Sequence, residues 1–199
     1  MSSPLPTIFF LAGGFADPSC FDEVAAVFQR EGYPTVYATV PSLNSSDARN
    51  ATTFQDAQHV REKFLLPLLA TGKDVIVVAH SYGGVVGGGA AFGLGKSAPS
   101  DQGGVIGFLC VPAVLTREGQ TLLEVLGGVW PPWLLIDYPT DGLCQIPHDK
   151  VMEILYSDIS SESPRKSELQ ARMLPHSITA LSTPSGPPAW AESTFDGRR

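Results

Sequence analysis

Ser81 stands in a segment whose residue types and spacing suit nucleophilic chemistry. An apolar, β-branched run over 75–78 leads into the sequence AHSYGG at 79–84. When a strand turns sharply into a helix at such a serine, the turn lifts the hydroxyl clear of the sheet. Small residues at 79, 83 and 84 are needed because the two backbones nearly touch there. The segment therefore predicts a nucleophile elbow with Ser81 at its apex.

A serine nucleophile also needs hydrogen-bond donors for the oxyanion that forms during acyl transfer. The N–H of Tyr82 is predicted at the start of the helix, where free amides point outward and the macrodipole is positive. A second donor is expected from the loop after the first strand, where Gly13 and Gly14 let the backbone approach closely. We assign this second donor to the N–H of Phe15.

The elements that must position these groups alternate between strand and helix. Apolar runs predict buried strands at 7–12, 35–40, 75–78 and 104–110, with helices between them. The second helix is expected to begin at Thr53, with Asp56 as its capping-box partner and with a bend at Pro67. This order is typical of an α/β fold with a mostly parallel, doubly wound sheet between two helical layers.

The pattern changes after residue 110, which predicts a core over 1–110 and a cap with a C-terminal tail over 111–199. Short amphipathic pieces are separated by proline-rich breaks, and we expect them to form a helical cap over the carboxyl edge of the sheet. The predicted pieces cover 117–127, 149–157, 164–174 and 176–182.

With the elbow and the glycine loop in place, the chain resembles the α/β-hydrolase superfamily. It is most similar to small esterase, lactonase and hydroxynitrile-lyase-like members with a helical cap. The sequence LAGGF at 11–15 takes the place of the family's His-Gly oxyanion loop, with Gly13 where histidine is usual. The sequence AHSYG at 79–83 takes the place of Gly-x-Ser-x-Gly, with alanine for the first glycine. The resemblance covers nearly the whole chain, including 155–158 and 175–178 in the cap.

The resemblance implies that the acid and histidine of the triad follow the nucleophile, beyond the cap. Because residue 199 falls about where the next strand would begin, it implies a truncated domain without its last strands. Val111-Pro-Ala113 supplies no carboxylate at the other known position for the acid. His148 and His176 lie in segments that could hang over the pocket, and we take His176 as the candidate base.

Without later strands, the segment 104–110 would form an exposed, apolar sheet edge. We expect either that the cap and tail fold across this edge or that two chains meet there. A homodimer through the sheet edge or the cap is the second of these two expectations.

The space between sheet and cap is predicted to have an apolar, aromatic lining, which suits a small hydrophobic substrate. The predicted lining residues are Gly14, Phe15, Tyr82, Val114, Leu115, Trp130, Trp133 and Leu134.

The composition of the chain bears on its possible partners, cofactors and location. The 20 acidic residues outnumber the 13 Lys and Arg, and the net charge of −7 argues against nucleic acid as a partner. No apolar run is long enough to predict a membrane span, and no cofactor fingerprint is present. Three cysteines without metal spacing predict no metal site and a reducing, cytoplasmic location.

Three functions follow from this sequence. The first is a serine hydrolase acting on a small apolar ester, lactone or thioester. The second is a non-hydrolytic enzyme of the same fold, a cyclase, isomerase or lyase, that polarises a carbonyl in the same pocket. The third is a pseudo-hydrolase that binds a ligand without turning it over. Fold alone does not choose among them.

Overall fold

A parallel sheet of four strands forms the centre of the chain. The computed structural model describes residues 4–96, 102–160 and 162–193. The sheet has the order β2-β1-β3-β4, and every neighbouring pair is parallel. Its strands are β1 (Thr7–Leu11), β2 (Thr35–Ala38), β3 (Val75–Ser81) and β4 (Val105–Ala113). The predicted α/β class and parallel sheet are confirmed.

Helices cover both faces of this sheet, because alternate side chains of the strands point to opposite faces. On one face, Ile8 and Phe10 pack with Phe28 of the first helix. On the other face, Phe9 and Leu11 join the larger core beneath the next helices. The helices of this part are α1 (Asp22–Arg30), α2 (Thr53–Val60), α3 (Leu66–Ala70) and α4 (Gly83–Ala91). The result is a three-layer fold.

The start of α2 differs from the sequence prediction. Its cap is Thr52, and the reciprocal partner in the capping box is Gln55. Asp56 is free of this role and points inward, where its side chain is fully buried. Between α2 and α3 the chain makes one π-helical turn over Arg61–Leu65, just before Pro67. The altered turn agrees with the expected bend, since proline donates no backbone hydrogen bond.

The glycine-rich helix α4 is buried almost throughout because small residues let it approach the sheet closely. A Cβ added to Gly83 would come within 2.5 Å of the carbonyl oxygen of Leu11. A Cβ added to Gly84 would collide with the carbonyl oxygen of Val114. The close approach predicted at the elbow is therefore present, and larger side chains at 83 and 84 would push strand and helix apart.

The cap contains a small antiparallel sheet that the sequence pattern did not predict. Its strands have the order β5-β6-β7. They are β5 (Leu135–Ile136), β6 (Leu143–Gln145) and β7 (His176–Ser177), and the cap helices are α5 (Leu122–Val125), α6 (Val151–Leu155), α7 (Lys166–Ala171) and α8 (Ile178–Ser182). The segment 176–182 was expected to be wholly helical. Instead Ser177 caps α8, and strands of two or three residues are too short to show an alternating pattern.

The strand β4 lies at the edge of the main sheet, as predicted. Its side chains Ile106, Leu109 and Val111 are 46%, 52% and 40% exposed. The described part of the C-terminal segment does not cross this edge, because Pro188 and Trp190 pack beside Gly88 of α4. Of the two arrangements expected at the edge, pairing with a second chain stays a prediction. No helix within the described ranges is long and apolar enough to cross a bilayer.

Candidate active site

Ser81 ends β3 in a backbone conformation that few residues adopt. Its φ is +51°, in the left-handed region, and α4 begins two residues later. The strand β4 holds the turn, because the amide of Val114 donates a 2.9 Å hydrogen bond to the carbonyl of Ser81. A Cβ on Gly13 would lie 2.8 Å from the Cβ of Ser81, so glycine is required there. Ser81 therefore lies at the apex of a sharp strand-to-helix turn, and its role as a nucleophile stays a prediction.

The turn over residues 13–15 faces this elbow and supplies free amides. Phe15 also has a positive φ, +66°, and its carbonyl accepts a 2.8 Å hydrogen bond from the amide of Leu174. Within the described part of the chain, the amides of Gly14, Phe15 and Tyr82 make no hydrogen bond. The oxygen of a substrate carbonyl could accept hydrogen bonds from these amides. The assignment of Phe15 and Tyr82 as the oxyanion pair stays a prediction, and Gly14 offers a further amide on the same turn.

A buried polar network lies behind the elbow, centred on the carboxylate of Asp56. The hydroxyl of Tyr82 donates to Oδ2 of Asp56 at 2.7 Å. The amide of Ser42 donates to Oδ1 at 3.0 Å, and the Ser42 hydroxyl donates a short hydrogen bond to Oδ2. Burial raises the pKa of Asp56, while the hydrogen bonds from Ser42 and Tyr82 lower it. The carboxylate is thus held by three donors from two different loops.

His176 joins this network from the cap. Its Nε2 lies 3.0 Å from the hydroxyl oxygen of Ser42. The ring is fully buried and stands edge-on to Tyr82, with centroids 4.9 Å apart. Burial lowers the pKa of His176 to about 3, so the imidazole is neutral near pH 7. The second ring nitrogen, Nδ1, has no hydrogen-bond partner among the described residues.

Ser81 and His176 are therefore near the same turn but are not joined by a hydrogen bond. Gly13 adjoins Ser81, whereas Gly14 adjoins the Nδ1 of His176. No described side chain hydrogen-bonds to the hydroxyl of Ser81, and Nε2 of His176 is engaged with Ser42. The proposed role of His176 as base toward Ser81 stays a prediction.

The other histidines lie elsewhere. His80 adjoins Gly13, and burial lowers its pKa. His59 packs against the ring of Phe64 at 5.8 Å, and His148 is exposed at the start of a short 3-10 helix. Across the described ranges no three His, Cys, Asp or Glu side chains come together to hold a metal ion.

The predicted lining residues differ in their exposure, and Gly14 among them is half-buried. Tyr82 and Leu134 are buried in the main core, and four others are half-buried against it. These four are Phe15, Val114, Trp130 and Trp133. Leu115 is 39% exposed and packs less closely. The role of this set as a substrate pocket stays a prediction.

Two residues of the buried network were missed from the sequence, Ser42 and Asp56. A signal for Asp56 was present, since it shares the inward face of α2 with Thr53, Ala57 and Val60 at helical spacing. A carboxylate in such a stripe must be hydrogen-bonded inside the fold. Ser42 lies in a polar loop, and its partnership with a cap residue 134 positions away leaves no local pattern.

The parallel sheet, its flanking helices and the elbow at Ser81 define an α/β hydrolase. The chain belongs to the alpha/beta hydrolase family, whose family model matches residues 8–194. It is similar to the alpha/beta hydrolase nvfD of Aspergillus novofumigatus, with 26% identity over 189 residues, 94% of this chain and 74% of that protein.

Two solved structures share the fold. One is the methylesterase MES16 from Arabidopsis, with a TM-score of 0.66 and 15% identity, covering 92% of this chain and 72% of that one. The other is tomato methylketone synthase I complexed with 2-tridecanone, with a TM-score of 0.67 and 12% identity. That match covers 89% of this chain and 69% of the tomato chain.

Proposed function

We propose that this chain is a serine hydrolase that cleaves small apolar carboxylic esters, lactones or thioesters. The observation that carries the proposal is the elbow itself. Ser81 has a positive φ at the junction of β3 and α4, and the free amides of Phe15 and Tyr82 flank it. Residues in strained backbone conformations cluster at active sites, and unpaired amides beside such a residue support a catalytic role for it.

The proposed reaction has two covalent steps. The hydroxyl oxygen of Ser81 attacks the ester carbonyl carbon, and the amides of Phe15 and Tyr82 stabilise the oxyanion. The carbon–oxygen bond to the leaving group breaks, the serine proton passes to the departing alkoxide, and an alcohol leaves. Water then attacks the acyl-enzyme, which releases the carboxylic acid and restores the serine hydroxyl.

The proposed substrate class is argued from the aromatic side chains that are predicted to line the pocket. Trp130 and Trp133 are half-buried beside the core, and Phe15 contributes a further aromatic ring. Apolar and aromatic surroundings favour the acyl or alcohol part of a hydrophobic ester over a charged substrate. The family relationship to nvfD and the fold shared with a methylesterase support hydrolysis of this kind.

Hydrolysis of short-chain p-nitrophenyl esters tests the proposal. We expect Ser81→Ala to reduce the rate at least about 100-fold, because it removes the nucleophile. Ser46→Ala is the matched control, since Ser46 is exposed in the loop before α2. A rate in Ser81→Ala equal to that of the control would contradict the proposal.

The predicted base is tested in the same assay with His176→Gln. A loss as large as that of Ser81→Ala would support His176 as the group that accepts the serine proton. Because Nε2 of His176 is hydrogen-bonded to Ser42, the proton of Ser81 would have to pass to Nδ1. A change no larger than that of Ser46→Ala would contradict the role of His176 as base.

A second candidate is a non-hydrolytic enzyme that polarises a carbonyl without a covalent intermediate. It is favoured by one observation: no described side chain hydrogen-bonds to the hydroxyl of Ser81, while the facing amides are free. The tomato neighbour, named a methylketone synthase, has the same fold. Turnover of a hydrophobic carbonyl compound that persists in Ser81→Ala would favour this candidate. Binding without turnover in either chain would indicate a pseudo-hydrolase.

A further inference from the structure

His80 directly precedes Ser81 on β3, and its imidazole has no hydrogen-bond partner in the described part of the chain. The residue is half-buried, and both of its ring nitrogens are unpaired. Neither nitrogen is sealed from solvent, in contrast to Nδ1 of His176. An accessible, unpaired imidazole can take up and release protons near neutral pH.

A histidine beside a serine in a regular strand could not reach its hydroxyl, because successive side chains point to opposite faces of the sheet. The end of β3 is not regular. Its pairing with β4 shifts register between His80 and Ser81, and Ser81 has a left-handed φ of +51°. The turn ends the alternation and brings both side chains beside Gly13.

The position of Gly13 shows how close the two side chains are. A Cβ on this glycine would lie 3.1 Å from Nδ1 of His80 and 3.3 Å from Oγ of Ser81. Since both atoms lie within 3.3 Å of one point, no more than twice that distance separates them. The two groups form no hydrogen bond in the free chain, but catalytic hydrogen bonds are often long in unliganded enzymes and shorten when substrate binds.

We propose that His80 is the general base of this site and accepts the proton of Ser81 at Nδ1. This role rests on the proposed function, because it names the group that activates the nucleophile. His80 has an unpaired, accessible nitrogen near the hydroxyl. In His176, by comparison, one nitrogen is engaged with Ser42 and the other is fully buried.

The proton follows a balanced route in this reaction. As the oxygen of Ser81 bonds to the carbonyl carbon, its proton moves to Nδ1 and the imidazole becomes an imidazolium ion. This ion gives the proton to the leaving alkoxide when the carbon–oxygen bond breaks, and an alcohol departs. Water then attacks the acyl-enzyme and passes a proton to Nδ1, and the imidazolium returns this proton to the serine oxygen.

The protonation state of His80 suits an acceptor. Burial lowers its pKa below the ordinary 6.5, so the imidazole is neutral at pH 7. A neutral imidazole carries a proton on one nitrogen and a lone pair on the other. With the proton on Nε2, the lone pair of Nδ1 is available to Ser81.

Hydrolysis of p-nitrophenyl acetate by His80→Asn tests this role. The asparagine amide is polar but cannot take up a proton, so we expect the rate to fall about 100-fold or more. His148→Gln changes an exposed histidine of the cap and should keep the native rate. Circular dichroism checks that each variant is folded. A folded His80→Asn with the native rate would overturn the proposal.

Imidazole added to the solution distinguishes a base from a structural residue. In His80→Ala it can take the place of the missing side chain, since the nitrogens of His80 are accessible to solvent. We expect imidazole to raise the rate of His80→Ala at least about tenfold above that of the double variant His80→Ala, Ser81→Ala. The double variant corrects for hydrolysis by imidazole alone. Equal rates of the two variants in imidazole would overturn the proposal.

A measurement on the native chain covers the case in which both His80 variants unfold. The chain, labelled with ¹⁵N in its histidines, reacts with a fluorophosphonate at Ser81. The adduct places phosphonyl oxygens near Nδ1 of His80, so the His80 signals should shift while those of His148 stay in place. His80 signals that do not move would overturn the proposal.

The two proposals fail separately. If Ser81→Ala abolishes hydrolysis but His80→Asn keeps the native rate, the hydrolase stands and His80 is not its base. Loss of activity in His176→Gln in that case would assign the base to His176. If the native chain shows no hydrolysis that depends on Ser81, the hydrolase is wrong and the role of His80 as base is wrong with it.

Discussion

The hydroxyl of Tyr82 donates a 2.7 Å hydrogen bond to the buried carboxylate of Asp56 and so ties the residue after Ser81 to helix α2. Through Ser42 the same carboxylate also reaches the cap histidine His176. This acidic side chain of α2 therefore connects the elbow, the loop that contains Ser42 and the cap. The position of the elbow depends on a residue that lies outside the reaction.

Removal of this carboxylate should destabilise the fold. We expect Asp56→Ala to lower the free energy of unfolding by about 2–4 kcal/mol, because it leaves the Tyr82 hydroxyl and Ser42 without their acceptor. Asp158→Ala is the control and should change it by less than about 0.5 kcal/mol, since Asp158 is exposed. Urea unfolding followed by circular dichroism measures both. Equal stabilities of the two variants would show that the network contributes nothing.

The adjacent glycines Gly13 and Gly14, in the turn that faces the elbow, should differ in their tolerance of a methyl group. In Gly13→Ala the new Cβ would lie 2.8 Å from that of Ser81, so the elbow must shift; we expect a loss of about 1–3 kcal/mol. In Gly14→Ala the nearest contacts are 3.8 to 4.0 Å, which is ordinary packing, and stability should change by less than about 1 kcal/mol. Thermal unfolding compares them, and the reverse order would contradict the close approach at the elbow.

His176 should make the fold sensitive to acid. Its pKa of about 3 in the folded state is below the ordinary 6.5, so between these values only the unfolded chain binds the proton. Stability should therefore fall as the pH drops below about 6.5, by up to about 1.4 kcal/mol per pH unit. The raised pKa of Asp56 acts in the opposite sense at lower pH, because there the folded chain keeps the proton that the unfolded chain loses.

Urea unfolding at about pH 7 and about pH 5 isolates the histidine contribution. The native chain should lose up to about 2 kcal/mol more than His176→Gln between the two conditions. His148→Gln, which changes an exposed histidine, should behave as the native chain. If His176→Gln shows the full acid sensitivity, then the buried imidazole is not its source.

The exposed edge strand β4 should promote self-association. Ile106 and Leu109 are about half exposed on an edge strand. The segment around Gly95 pairs with this edge only at Val105, through Leu94 and Lys96, so most of the edge has no partner strand in the described part of the chain. We predict a concentration-dependent homodimer in light scattering coupled to gel filtration. Leu109→Lys should weaken it, while Val27→Lys, at an exposed apolar position on α1, should not. A monomer at all concentrations would show that the β4 edge is not an interface between two chains.

Local patterns were sufficient to predict the core of the fold. The apolar run before Ser81, the glycines after it and the alternation of strands and helices each reflect short-range constraints on the backbone. The constraint at Gly83, where a Cβ would meet the carbonyl of Leu11, is visible in sequence because the elbow needs a small residue at that spacing.

The cap and the buried network could not be predicted in the same way. The strand β7 forms because His176 pairs with Cys144 and the amide of Ser177 donates to Ser42, both contacts of long range. The capping-box pattern was assigned to Thr53 and Asp56, one residue out of register from Thr52 and Gln55. That one-residue error concealed the buried role of Asp56.

Covalent labelling tests most directly whether Ser81 is an activated nucleophile. A fluorophosphonate reacts with such a serine by forming an oxygen–phosphorus bond and releasing fluoride. We predict one adduct per chain in the intact mass, located at Ser81 by peptide mapping, absent from Ser81→Ala and present in Ser46→Ala. A folded native chain that takes up no label, or takes it up equally after Ser81→Ala, would contradict the account.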